Sequence, residues 1–154
     1  MEAKEIMIGD WVQFADGNKK YTVVGVKCDA RYLEDEAIIT VMDRSGHWFD
    51  KEMDYLEPIL ITAEILKANG FIPDDLCDWA ERYVCPAEIK KIPQTILEFT
   101  FYEGISADTL FKCWTKPESR DGENSVHICD LKYVHQLQHA LRLCGIEKEI
   151  KLED

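Results

Sequence analysis

Apolar residues change their spacing along this chain, and the changes predict its elements. Through residue 58 the apolar runs are short and rich in aromatic and β-branched side chains, which favours strands over helices. Ile6 to Phe14 forms the first run, and Asp16-Gly17-Asn18 supplies residues that tolerate positive φ for a turn. Lys20 to Val26 returns as a second strand. The polar passage from Cys28 to Glu36 reads as a solvated loop, and Ala37 to Met42 as a third strand. Arg44-Ser45-Gly46 turns the chain into His47-Trp48-Phe49, and Tyr55-Leu56-Glu57-Pro58 closes the series. So many short strands in so little chain predict a small curled sheet or SH3-like β-barrel over residues 1–58, because closure removes exposed edges.

Residues 59–154 predict an α+β module in which a C-terminal helix packs on a β-hairpin sheet. The residue before Pro58 is pushed out of helical geometry, which marks the join. Thr62 caps a short helix, Ala63 to Asn69, that stops at Gly70, with Phe71 folding back behind it. Pro73-Asp74-Asp75 then has the form of a helix start, followed by Leu76, Trp79, Ala80 and Tyr83 at helical spacing. A strand from Trp79 to Val84 is the alternative, and Pro86 to Pro93 reads as an irregular connector. From Thr95 to Tyr102 the period becomes two: Leu97, Phe99 and Phe101 alternate with Glu98 and Thr100, as in a sheet wet on one side. Thr109 to Trp114 is the returning strand, and Ser125 to Cys129 a third. The last helix runs from Lys132 to Gly145, about 14 residues or roughly 21 Å. Asp130 is its expected N-cap, and Gly145 with Ile146 its expected Schellman end. The tail, Glu147 to Leu152, is a candidate edge strand guarded by its charges.

Composition then narrows the partners. Of 154 residues 46% are hydrophobic, enough for a real core, and the formal net charge is −12. Such a surface repels phosphate backbones and anionic membranes and attracts basic proteins. No apolar run is long enough to span a bilayer, and Met1-Glu2-Ala3-Lys4-Glu5 lacks signal-peptide order. A cytoplasmic chain without a membrane partner is expected. The cysteines, Cys28, Cys77, Cys85, Cys113, Cys129 and Cys144, contain no C-x-x-C pair and read as buried reduced thiols.

No motif points to a reaction, and no cofactor, metal or catalytic residue is expected. Every glycine is isolated, so no phosphate-binding loop is present. His135 and His139 have the i, i+4 spacing of paired metal ligands but lack a third ligand; Cys113, His127 and Cys129 lack compact zinc spacing. The candidate binding residues are Trp11 and Trp48 in the first module, and His135, Gln138, His139 and Arg142 as a partner-facing surface of the last helix. The basic residues Lys19, Lys20, Lys27 and Arg31 keep a nucleic-acid reading open, and an unrecognised metal-dependent enzyme is the third alternative.

Several segments also resemble one another's counterparts in a set of uncharacterised proteins of Bacteroides-type bacteria and their prophages. They are Ile8-Gly9-Asp10-Trp11-Val12, then Leu56-Glu57-Pro58-Ile59 with Leu60-Ile61-Thr62, Asn69-Gly70-Phe71, and above all Tyr133-Val134-His135-Gln136-Leu137-Gln138. The chain departs from the set at Leu60, where proline is usual. The resemblance implies a two-part architecture and a mobile-element setting, with a YVHQLQ helix at the end, and implies no site residues. Together these readings predict a non-enzymatic accessory protein that acts by binding another protein.

Overall fold

Asp10 begins the fold by making a turn out of a run that looks like a strand. Its carboxylate accepts from the Met7 backbone N–H at 2.8 Å and its own N–H donates to the Met7 carbonyl at 3.1 Å, with Gly9 at φ 90°. Strand β1 is therefore Trp11–Phe14 rather than the whole run from Ile6. The computed structural model describes residues 5–15, 19–27, 37–74, 81–85, 95–101, 111–117 and 125–153. By internal contacts the chain divides into two units, Met1–Ile59 with Leu152–Asp154, and Leu60–Lys151.

In the first unit β2 (Lys20–Lys27), β3 (Ile38–Met42), β4 (Trp48–Glu52) and β5 (Leu56–Pro58) follow, with a 3₁₀ turn at Met53–Tyr55. All neighbours are antiparallel, in the order β4-β3-β2-β1-β5. Among the described residues β4 and β5 do not pair, so the sheet is open where a closed barrel was expected. One face buries Ile6, Val12, Tyr21, Val23, Ile39, Val41, Met53 and Leu56. Phe14, Tyr21 and Phe49 add an aromatic cluster there, with ring centroids 4.4–5.9 Å apart. The Lys51 ammonium lies over Phe14 and Phe49, so its charge is on this inner side.

Among the described residues the second unit holds the expected hairpin and third strand with two further strands beside them: β6 (Ile72–Pro73), β7 (Glu81–Val84), β8 (Thr95–Phe101), β9 (Phe111–Pro117) and β10 (Val126–Leu131). Their order is β10-β9-β8-β7-β6, again antiparallel throughout. At Glu81–Val84 the strand alternative replaces the helical reading, because Tyr83 pairs with Phe99 and Pro73; residues 75–80 lie outside the described residues. Leu76, Trp79 and residues 86–94 lie outside the described residues. Thr100 and Glu98 were expected to face water, yet they are 3% and 7% exposed. Central position in the sheet decides this: β8 is flanked on both sides, and Arg82 lies 4.0 Å from the Glu98 carboxylate.

Both helices stop as the local chemistry requires. Helix α1 (Ala63–Ala68) is capped by the Thr62 hydroxyl, which accepts from Ile65 N–H. At its far end Gly70 takes φ 72°, and the Gly70 and Phe71 N–H groups return to the Lys67 and Leu66 carbonyls. Phe71 then packs edge-on to Phe99 at 5.4 Å. Helix α2 (Val134–Leu143) ends in the same motif, with Gly145 at φ 72° and Ile146 N–H on Leu141. Its start differs from expectation. Asp130 belongs to β10, and Tyr133 is the N-cap. Gln136 satisfies the end instead, its side-chain oxygen accepting from the N–H groups of Lys132 and Tyr133 at 2.8 and 3.2 Å.

The tail forms no strand through Glu153. The Asn69 side chain takes the place of a strand partner: its amide donates to the Lys151 carbonyl at 2.8 Å and its oxygen accepts from Lys151 N–H at 2.7 Å. That reciprocal pair lets Ile150 bury completely while its neighbour's backbone stays satisfied.

Candidate interaction surfaces

Register places Trp11 and Trp48 in one line. Trp11 pairs with Thr22, Thr22 with Met42, and Met42 with Trp48. Directly opposed residues of antiparallel strands share a face, so these side chains cross the sheet as one row, about 14 Å long at ~4.8 Å per strand. The core residues Val12, Tyr21, Val23 and Val41 alternate with them, which assigns the row to the outer face. Trp48 is 68% exposed, on the edge strand; Trp11, Thr22 and Met42 are half-buried.

Beside that row on the same face lie Thr40 and Asp50, opposed in register, then Lys27, Ile38 and Glu52. Asp50 accepts from Lys27 and from the Thr40 hydroxyl, each at 2.6 Å. The Lys27 ammonium, followed by the Thr40 hydroxyl, holds the Asp50 carboxyl below its ordinary range. A groove of about 390 Å³, lined by Ile38, Asp50, Lys51, Glu52 and Tyr55, opens here. The basic cluster considered for nucleic acid is thus partly engaged: Lys27 is neutralised by Asp50, and Lys20 donates to the Glu153 carbonyl. Arg31 lies outside the described residues.

The helix surface is placed differently from expectation. His135 and Gln138 are 1% and 6% exposed, inside the second unit with Val134, Leu137, Ala140 and Leu141. His135 stacks on Tyr133 at 5.7 Å and meets His139 edge-on at 5.8 Å. His139 is half-buried, and Arg142 is the exposed member of the four. Amphipathic spacing does not separate a polar residue that faces solvent from one that is accommodated inside, and the burial of this helix extends around most of its girth.

Sequence reading missed a polar cluster on β9 and β10. The ladder shifts between His127 and Cys129, so Ile128 is an extra, bulged residue. His127 opposes Trp114 and Asp130 opposes Lys112, which puts both on one face although they are three apart. His127 Nε2 is 2.9 Å from Asp130 Oδ1, and its ring is 4.9 Å from Trp114. The polar run Cys129-Asp130 behind an apolar stretch was the available signal. The same bulge separates the supposed zinc ligands: Cys113 opposes Cys129 on the other face from His127. Burial, then the neighbouring Cys129, pushes the Cys113 thiol well above its ordinary range; burial raises Cys129 as well. Thiols held protonated are poor nucleophiles and poor metal ligands. Cys85, Cys113, Cys129 and Cys144 are in no disulfide, and among the described residues no group of three or more His, Cys, Asp or Glu could hold a metal ion.

The fold thus defines a mixed α+β protein built mostly on antiparallel sheet, and no helix among the described residues is long and apolar enough to cross a membrane. The sequence matches no protein-family model, no curated protein and no solved structure.

Proposed function

We propose that this chain is a non-enzymatic interaction module that docks a protein partner on the outer face of its first sheet. The observation that carries the reading is the row Trp11-Thr22-Met42-Trp48, which ends on a tryptophan 68% exposed. Indole combines a large apolar area with a donor and few rotors, so it contributes strongly when a partner covers it. The net charge of −12 favours a basic partner and steers it to the surface. The order β4-β3-β2-β1-β5, with the fifth strand beside the first and a 3₁₀ turn before it, supports reading this unit as an SH3-like sheet left open between β4 and β5. The resemblance of the Tyr133 to Gln138 segment to Bacteroides-type prophage proteins supports a mobile-element setting. Pairing of Lys27 with Asp50 weighs against the nucleic-acid alternative.

The test is a photo-crosslinking amino acid placed at Trp48 in the cells that make the protein. One discrete protein adduct, missing when the probe is moved to the exposed Arg142, is the expected result. The same adducts from both positions, or none from Trp48, would overturn the reading.

A further inference from the structure

The residue that ends the tryptophan row also belongs to a strand whose far edge is open among the described residues. Antiparallel strands alternate between residues that exchange both backbone hydrogen bonds with their partner and residues that exchange none. Here Asp43 N–H donates to the His47 carbonyl at 2.9 Å, and Met53 N–H to the Ala37 carbonyl at 3.1 Å. Counting inward in twos from both ends, Phe49 with Val41 and Lys51 with Ile39 are the bonded pairs. Trp48, Asp50 and Glu52 therefore aim their N–H and C=O groups away from β3. Among the described residues no strand pairs with that edge. The same three residues put their side chains on the outer face, beside the groove lined by Asp50, Glu52 and Tyr55.

We infer that the partner docks by adding an extended, basic segment of its own as a further strand along β4. The inference rests on the reading in the preceding section and names the chemistry of what binds there. Backbone pairing to Trp48, Asp50 and Glu52 supplies affinity, and the side chains supply the choice. An added residue opposite Trp48 packs on its indole and is apolar. The residue opposite Glu52 is Lys or Arg, because among the described residues Glu52 has no cationic partner, and Lys51 points its charge to the inner side. Asp50 is already paired with Lys27 and asks less of the segment. Trp48 and Glu52 are four residues apart, so the segment presents an apolar residue and a basic one four apart, about 13 Å along a strand. A second copy of this chain is a poorer occupant: it carries the same net charge of −12, and the other edge strand of its first sheet, β5, ends in Pro58, which has no N–H to give. The competing account is that the charges of β4 only keep its edge solitary.

The test titrates ¹⁵N-labelled protein with the acetylated, amidated peptide Thr-Arg-Thr-Thr-Thr-Val-Thr, which places Arg opposite Glu52 and Val opposite Trp48 when it adds antiparallel to β4. Amide shifts confined to Trp48 through Glu52 and their β3 neighbours are expected. The same peptide N-methylated at the nitrogens that would face β4 keeps its charge and loses its donors, and is expected not to bind. Glu52 has φ −67°, the angle proline imposes, and its N–H faces the open edge, so Glu52→Pro leaves the β3 ladder intact. It is expected to weaken the peptide roughly tenfold by removing one edge donor and the carboxylate. Glu52→Gln, which keeps the donor, is expected to weaken it only a few-fold and to flatten the salt dependence. No shifts at millimolar peptide, equal binding of the N-methylated peptide, or indifference to Glu52→Pro would each overturn the inference. A Trp48 crosslink of undiminished yield in Glu52→Pro would leave the docking face standing and remove only the added strand; absence of any Trp48 crosslink in the otherwise unsubstituted protein would remove both.

Discussion

Strands β4 and β8 both combine aromatic with polar residues, and they end in opposite environments. Along β4 only Phe49 is withdrawn from solvent, and Trp48, Asp50, Lys51 and Glu52 are exposed. Along β8 Leu97, Glu98, Phe99 and Thr100 are all buried. Alternation states which residues share a face; it does not state whether that face meets water. Position in the sheet does. β8 has a strand on either side, so its polar residues are enclosed and answered from within, as Arg82 answers Glu98. Among the described residues β4 has one neighbour, and it answers to whatever comes from outside. The second unit is thus held by its strand centres, and the first offers a strand edge.

The sharpest way to break this contrast is to truncate one aromatic on each strand. Phe99→Ala removes a ring packed edge-on to Phe71 in a filled interior, and is expected to cost about 3–5 kcal/mol in urea unfolding. Trp48→Ala, on an exposed edge, is expected to stay within about 0.5 kcal/mol. Comparable losses at the two sites would refute the division. Asn69→Ala is expected to cost about 1–3 kcal/mol, since it strands both backbone groups of Lys151 that its amide now satisfies. Faster hydrogen exchange at the Lys151 amide, with β4 unchanged, is the local signature.

Thiol accessibility sharpens the same contrast more gently. Burial and the elevated pKa of Cys113 predict that iodoacetamide at pH 8 alkylates it far more slowly than Cys144, by mass spectrometry of the folded protein. The smallest effect is at Asp50. Its carboxyl is held below the ordinary ~3.9 by Lys27 and then Thr40, so the ionised form is favoured in the folded state. The contribution is present above the unfolded carboxyl pKa and is lost as pH falls through the lower folded value. Carbonyl-detected NMR titration is expected to show a depressed midpoint that moves up in Lys27→Met. Because Asp50 is open to solvent, salt should erase most of the difference.

How much of this was legible follows from how local each cause is. Thr62, Gly70 with Phe71, and Gly145 with Ile146 announce helix ends because the bonds they make reach only a few residues. The strands of the first unit were legible for a similar reason, apart from Ile6 to Asp10, where one carboxylate converts an apolar run into a turn. What stayed hidden depends on residues far apart in the chain. Tyr83 looks helical until Phe99 is available to pair with it. Asp130 looks like a cap until β10 extends through it. His135 and Gln138 look like a solvent-facing stripe, since their spacing is the same whether water or protein lies beyond. The tryptophan row was half legible: each indole was visible as a candidate, but only register joined them.

The extra residue in β10 also bears on how this strand tolerates changes of length. Excising Ile128 would leave Val126, His127, Cys129, Asp130 and Leu131 opposite Thr115, Trp114, Cys113, Lys112 and Phe111 in unbroken succession. Every flanking side chain would keep the side of the sheet it now occupies. A single-codon deletion, which elsewhere in a strand inverts all that follows, would here restore regularity.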